Sequence, residues 1–85
     1  MRLNVAAPET GEALLAFGAK VPPASGPLRN LSPTGDLVEA AANLYRLLHE
    51  LNALAPAGIA VMPIPNHGLG RAINDRLQRA AAAED

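Results

Sequence analysis

Between residues 30 and 51 the apolar positions recur at helical spacing. In NLSPTGDLVEAAANLYRLLHEL, Leu37, Ala41, Leu44, Leu48 and Leu51 follow one another at steps of 4, 3, 4 and 3, which brings all five to one face. Glu39, Asn43, Arg46 and Glu50 fall opposite, so the pattern predicts a helix lying on a core with one side in water. Ser32 is a candidate N-cap, with Pro33 at the first helical position, where its missing N–H leaves nothing unpaired. A start one turn later, capped by Thr34 or Asp36, is the alternative, because Gly35 is a poor helix former. Asp36 in either case favours the positive end of the helix dipole.

The other segments are shorter. Residues 1–5 (MRLNV) read as a strand, and 6–12 as a turn broken by Pro8 and Gly11. Residues 13–17 (ALLAF) form a continuous apolar run ended by Gly18, which suits a strand buried on both faces. Residues 20–28 hold three prolines, a glycine and a serine, so an exposed, partly polyproline-like connection is expected. Residues 28–31 give another short strand feeding the long helix. Pro56 and Gly58 stop that helix, and residues 59–64 (IAVMPI) read as the central strand. A second helix over residues 69–82 places Leu69, Ile73, Leu77 and Ala80 inward, with Arg71, Asp75 and Arg79 spaced for outer ion pairs. Glu84 and Asp85 oppose the dipole, so its last turn should fray. Strand, helix, strand, helix with continuous apolar strands predicts an α/β fold: a mostly parallel sheet of three to four strands with two main helices.

Composition narrows the function classes. The chain has 85 residues, enough for one small domain (1–85) and no more. Only Phe17 and Tyr45 are aromatic, so the core must be built from Leu, Ile, Val and alanine. A net charge of −1, with seven scattered basic residues, lacks the footprint of a nucleic-acid binder. No cysteine is present, which excludes a disulfide framework and thiolate chemistry. No apolar stretch nears 18 residues and no basic segment leads an apolar run, so no membrane partner and a cytoplasmic location are expected.

Candidate chemistry is sparse. Gly68 and Gly70 precede a helix, but the third glycine of a dinucleotide fingerprint would fall at Ile73; a tight strand-to-helix turn accounts for both. The prolines near residue 23 lack a Pro-x-x-Pro register. Ser32, Thr34 and Gly35 at the start of the long helix form a candidate anion site, since helix N-termini bind anions; ordinary capping uses the same residues. Ser32, Asp36 and His67 supply triad residue types without a Gly-x-Ser-x-Gly elbow. His49 and His67 have no flanking metal-ligand spacing, and no metal or catalytic set is expected.

Four segments, EALLAFG (12–18), NLSPTGDLVEAAANLYRLLHELNA (30–53), IAVMPIP (59–65) and GLGRAINDRLQRAAA (68–82), together resemble the C-terminal domain of threonylcarbamoyl-AMP synthase, in order and across nearly the whole chain. The resemblance implies a Rossmann-like accessory module of a two-domain cytoplasmic enzyme. The N-terminal YrdC-like domain of that enzyme forms threonylcarbamoyl-adenylate from threonine, bicarbonate and ATP, for threonylcarbamoyladenosine modification of tRNA. The catalytic groups, the ATP and any magnesium belong to that N-terminal domain, so no catalytic residue and no cofactor carry over to this chain. Catalytic domain and linker are absent from the sequence, and Met1 leading directly into a strand suggests an excised domain. The partner implied is the YrdC-like domain of the same polypeptide. Apolar residues that the helical stripes leave over are the contact candidates: Val38, Tyr45 and Leu47, with Pro65 and Leu69. The alternative is a nucleotide- or anion-binding module using the start of the long helix.

Overall fold

In the computed structural model, which describes residues 1–54 and 56–83, five elements follow in order: β1 (Ala13–Ala16), β2 (Leu28–Asn30), α1 (Leu37–Ala53), β3 (Ile59–Val61) and α2 (Leu69–Ala83). The expectation for Glu84 and Asp85 lies outside the described residues. The three strands form one parallel sheet in the order β2-β1-β3. The central strand is therefore β1 and not β3, a correction to the sequence reading. All four residues of β1 are fully buried, because it has a strand on each side and is covered on both faces. On its far edge β3 meets the N-terminal segment through one bridge, Arg2 to Ala60. Residues 1–5 do not form the expected strand: Asn4 adopts a left-handed φ of 57°, and pairing breaks between Arg2 and Val5, whose N–H donates to Val61 O at 3.0 Å.

The two sheet faces are covered differently. Ala13 and Leu15 of β1, with Ile59 and Val61 of β3, join the main core with Ala40, Leu44, Leu47 and Leu51 of α1 and Ile73 and Leu77 of α2. Leu14, Ala16 and Ala60 on the opposite face meet Val5, Val21, Ala24 and Met62. The Pro-rich connection is thus not simply exposed, as its composition suggested. It lies over the second face where larger α/β domains place a helix, and its Pro27 carbonyl accepts from Leu14 N–H at 2.8 Å.

Helix α1 begins at the later of the two expected positions. Asp36 is the N-cap, its carboxylate accepting from the N–H of Val38 at 2.9 Å. Gly35 has a φ of +77°, which a helical residue cannot hold and which only glycine adopts without strain, so the helix cannot start before it. Helix α2 starts where Gly70 is pressed against the chain before it. A Cβ at that position would lie 1.8 Å from the Pro65 carbonyl oxygen.

The buried stripe of α1 is Ala40, Leu44, Leu47 and Leu51, one step round the helix from the expected stripe. Ala41 and Leu48 are half-buried. Leu47, expected to face a partner, is only 5% exposed and part of the core, because the sheet lies against that edge of the helix. On α2, Gly70, Ile73 and Leu77 are buried, whereas Leu69 is exposed. The expected Asp75–Arg79 pair forms. Leu47→Ala should cost about 2–5 kcal/mol, as truncation of buried leucines does, and Tyr45→Ala less than about 0.5 kcal/mol, as surface changes do. Urea denaturation of both variants measures this, and equal costs would contradict the assignment of helix faces.

Candidate functional site

Two regions gather the residues of interest. The first is the turn into α1. Ser32 is fully buried and its hydroxyl oxygen accepts from Asp36 N–H at 2.9 Å while lying 3.2 Å from the Thr34 hydroxyl. Its carbonyl accepts from the N–H groups of Gly18 and Gly35, at 2.8 and 3.0 Å. Ser32, Thr34 and Gly35 are therefore brought together, but as a closed turn whose polar groups satisfy one another. The carboxylate of Asp36 already holds the first N–H groups of the helix, placing negative charge where an anion would bind. Arg29, the nearest basic residue in sequence, donates instead to Glu50 at 3.0 Å and to the Leu28 carbonyl.

The second region is a groove between α1 and α2. A cavity of about 370 Å³ is lined by Leu44, Tyr45, Leu48, Arg76, Leu77, Arg79 and Ala80. A recess of about 150 Å³ extends it past Ala41, Leu69, Ala72 and Ile73, sharing Leu44 and Arg76. Another of about 160 Å³ continues past His49 and Asn52. Tyr45 is 81% exposed and Val38, seven residues earlier on the same face, 66%. Of the expected contact residues, Tyr45 and Leu69 line this groove, Val38 is exposed on Tyr45's side of α1, and Pro65 is exposed at the entry to α2. Leu47 is absent because it serves the core. Leu48, Arg76 and Ala80 were not foreseen as groove residues. For Leu48 the signal is present: an apolar arc on α1 too wide for one covering surface.

Outside the groove the ion pairs gather on Glu50 and Glu12. Glu50 accepts from Arg29 and from Arg46 at 2.9 Å, and these bonds hold its carboxyl below the usual range. A mostly buried carboxylate, Glu12, also escaped the sequence reading, since its partner lies ten residues away with no periodic relation. Arg2 grips it through Nε and Nη2, at 2.9 and 2.6 Å, and Glu9 N–H adds a bond at 2.9 Å. The bidentate bond to Arg2 pulls the Glu12 pKa down from 4.5 to about 2 despite burial. No group of three or more His, Cys, Asp or Glu side chains able to hold a metal ion occurs among the described residues. Nor is any helix among them long and apolar enough to cross a membrane.

The folded form thus binds the Glu12 proton less tightly than the unfolded form. Stability from this pair is complete above about pH 4.5 and falls as the pH drops through about 2. Melting temperature against pH should show this decline in the natural chain and a shallower one in Glu12→Gln, whose melting point at pH 7 is lower. Parallel curves would contradict it.

Compared with known families, residues 3–82 match the family described as "Threonylcarbamoyl-AMP synthase, C-terminal domain". No curated protein and no solved structure matches the chain.

Proposed function

The chain belongs to the family of threonylcarbamoyl-AMP synthase C-terminal domains, and from that premise we propose that it is an accessory domain that docks on a YrdC-like catalytic domain of the same polypeptide and restricts its opening. The enzyme so assembled would form threonylcarbamoyl-AMP from threonine, bicarbonate and ATP, in the cytoplasm, for tRNA modification. ATP and magnesium would bind the catalytic domain, and this chain would contact neither tRNA nor membrane. The observation that carries the reading is a family match spanning all but a few residues, supported by the exposed apolar edge of α1 at Val38 and Tyr45. Burying two such side chains against a partner is favourable at about 1.5–3 kcal/mol for each large apolar group. The anion-module alternative, using Ser32, Thr34 and Gly35, gains no support from a turn already closed on itself.

The test is threonine- and bicarbonate-dependent pyrophosphate release from ATP. The chain alone should release none, and titrating it into a separately made catalytic domain should change that domain's rate saturably. Release by the chain alone, or an unchanged rate at saturation, would sink the reading.

A further inference from the structure

The walls of the helix-pair groove are unlike one another. Its floor is Leu44, Leu48, Leu77 and Ala80; the α1 wall rises to Tyr45 and the α2 wall to Arg76 and Arg79. Among the described residues, no acidic side chain lines the groove or either recess that extends it. Arg79 is bound to Asp75 on the outer side of α2. Arg76 has neither ion pair nor hydrogen bond among the described residues. A guanidinium at the lip of an apolar groove, with no counter-charge among the described residues, offers a partner carboxylate a charge-assisted bond next to a desolvated surface.

The groove also has a direction. Ala41 and Leu44 face Leu69 and Ile73 at one end, and Leu44 and Leu48 face Arg76 and Ala80 at the other. The helices therefore run side by side in the same sense. From residue 41 to residue 48 the floor extends about 10 Å, two helical turns. That length suits the i, i+3/i+4, i+7 anchors of a single amphipathic helix laid along it.

We propose that the groove receives one amphipathic helix of the YrdC-like catalytic domain, with its apolar stripe on Leu44, Leu48 and Ala80 and a carboxylate on its flank against Arg76. This rests on the docking reading above and adds the surface and the chemistry of the partner. A second copy of this chain is the poorer occupant: its groove brings the same arginines and, among the described residues, no acid to meet them. Tyr45 closes the opposite wall, its ring on the partner's apolar side and its hydroxyl at the rim, the disposition in which tyrosine serves interfaces well.

The experiment is a titration of the nitrogen-labelled chain with unlabelled catalytic domain, followed by amide NMR. Shifts should cluster at Leu44, Tyr45, Leu48, Arg76 and Ala80. Arg76→Glu and Tyr45→Ala should each weaken binding by about tenfold or more, as truncation of interface anchors does. Arg71→Glu, on α2 but outside the groove, should change it less than about twofold. Spectra of the free variants matching the parent away from the substituted residue show that the fold is kept. Binding with shifts gathered elsewhere overturns the groove and leaves the docking reading standing. Binding in the groove that ignores Arg76→Glu overturns the acidic flank. The same shifts on concentrating the chain alone, with none added by the catalytic domain, assign the groove to a second copy and overturn the proposal. Absence of binding overturns both readings.

Discussion

Helix α1 carries more apolar circumference than any one neighbour can cover. At about 100° per residue, the run from Leu47 through Ala40, Leu51, Leu44, Leu48 and Ala41 to Tyr45 and Val38 spans roughly half the helix. The sheet takes the Leu47 edge. Helix α2 takes the middle, where Leu44 meets Ile73 and Leu77 in one core. The remaining edge opens into the groove. Each of these contacts limits the next: α2 cannot move further over Tyr45 without uncovering Ile73 and Leu77, and the sheet holds α1 by Leu47 and Leu51. A chain with two aromatic residues has no large side chain to spare for closing such a gap. It nevertheless leaves its single tyrosine outside.

The rest of the molecule serves to keep that helix pair seated on a very small sheet. Three short strands bury little alone, and the second sheet face has no helix. Val21 and Ala24 of the Pro-rich connection lie over Leu14, Ala16 and Ala60 instead, at low entropic cost for a proline-restricted chain. The N-terminal segment joins the far edge of β3, and the Arg2–Glu12 pair ties it to the start of β1. Those two devices supply the cover and the lateral support that further strands or helices give in larger α/β domains.

How much of this was legible in the sequence follows from what periodicity can encode. Helix existence and its C-terminal limit are readable, because the 4-3-4-3 spacing and Pro56 are local signals; the start is not, since Ser32 and Asp36 both offer caps and the φ of Gly35 decides between them. Which edge of α1 meets the sheet was not: the arc is broad enough that two stripes one residue apart fit equally well. Hence spacing alone sends Leu47 to a partner and Leu48 to the core, where the structure buries Leu47 and leaves Leu48 half-buried. Strand order was not readable either, since an apolar run marks burial on both faces without saying whether its edges are paired. Composition marked residues 20–28 as irregular, yet irregular backbone can still bury a valine. The closed turn at Ser32 depends on a buried hydroxyl, which no spacing reveals. Exposure of Val38 and Tyr45 did follow from their place outside the main stripe, whereas Leu69, on the inward stripe expected of α2, is exposed at its first turn; the family match followed from four motifs in order.

Tyr45 is the only tyrosine, so 3-fluorotyrosine incorporated during expression gives one fluorine resonance at the groove wall. Its relaxation by a soluble paramagnetic agent reports directly whether this edge is bare in the free chain and covered in the assembled one. The account predicts strong relaxation in the chain alone and marked protection once unlabelled YrdC-like catalytic domain is added. A resonance already shielded in the free chain, or one equally relaxed in the complex, would contradict it.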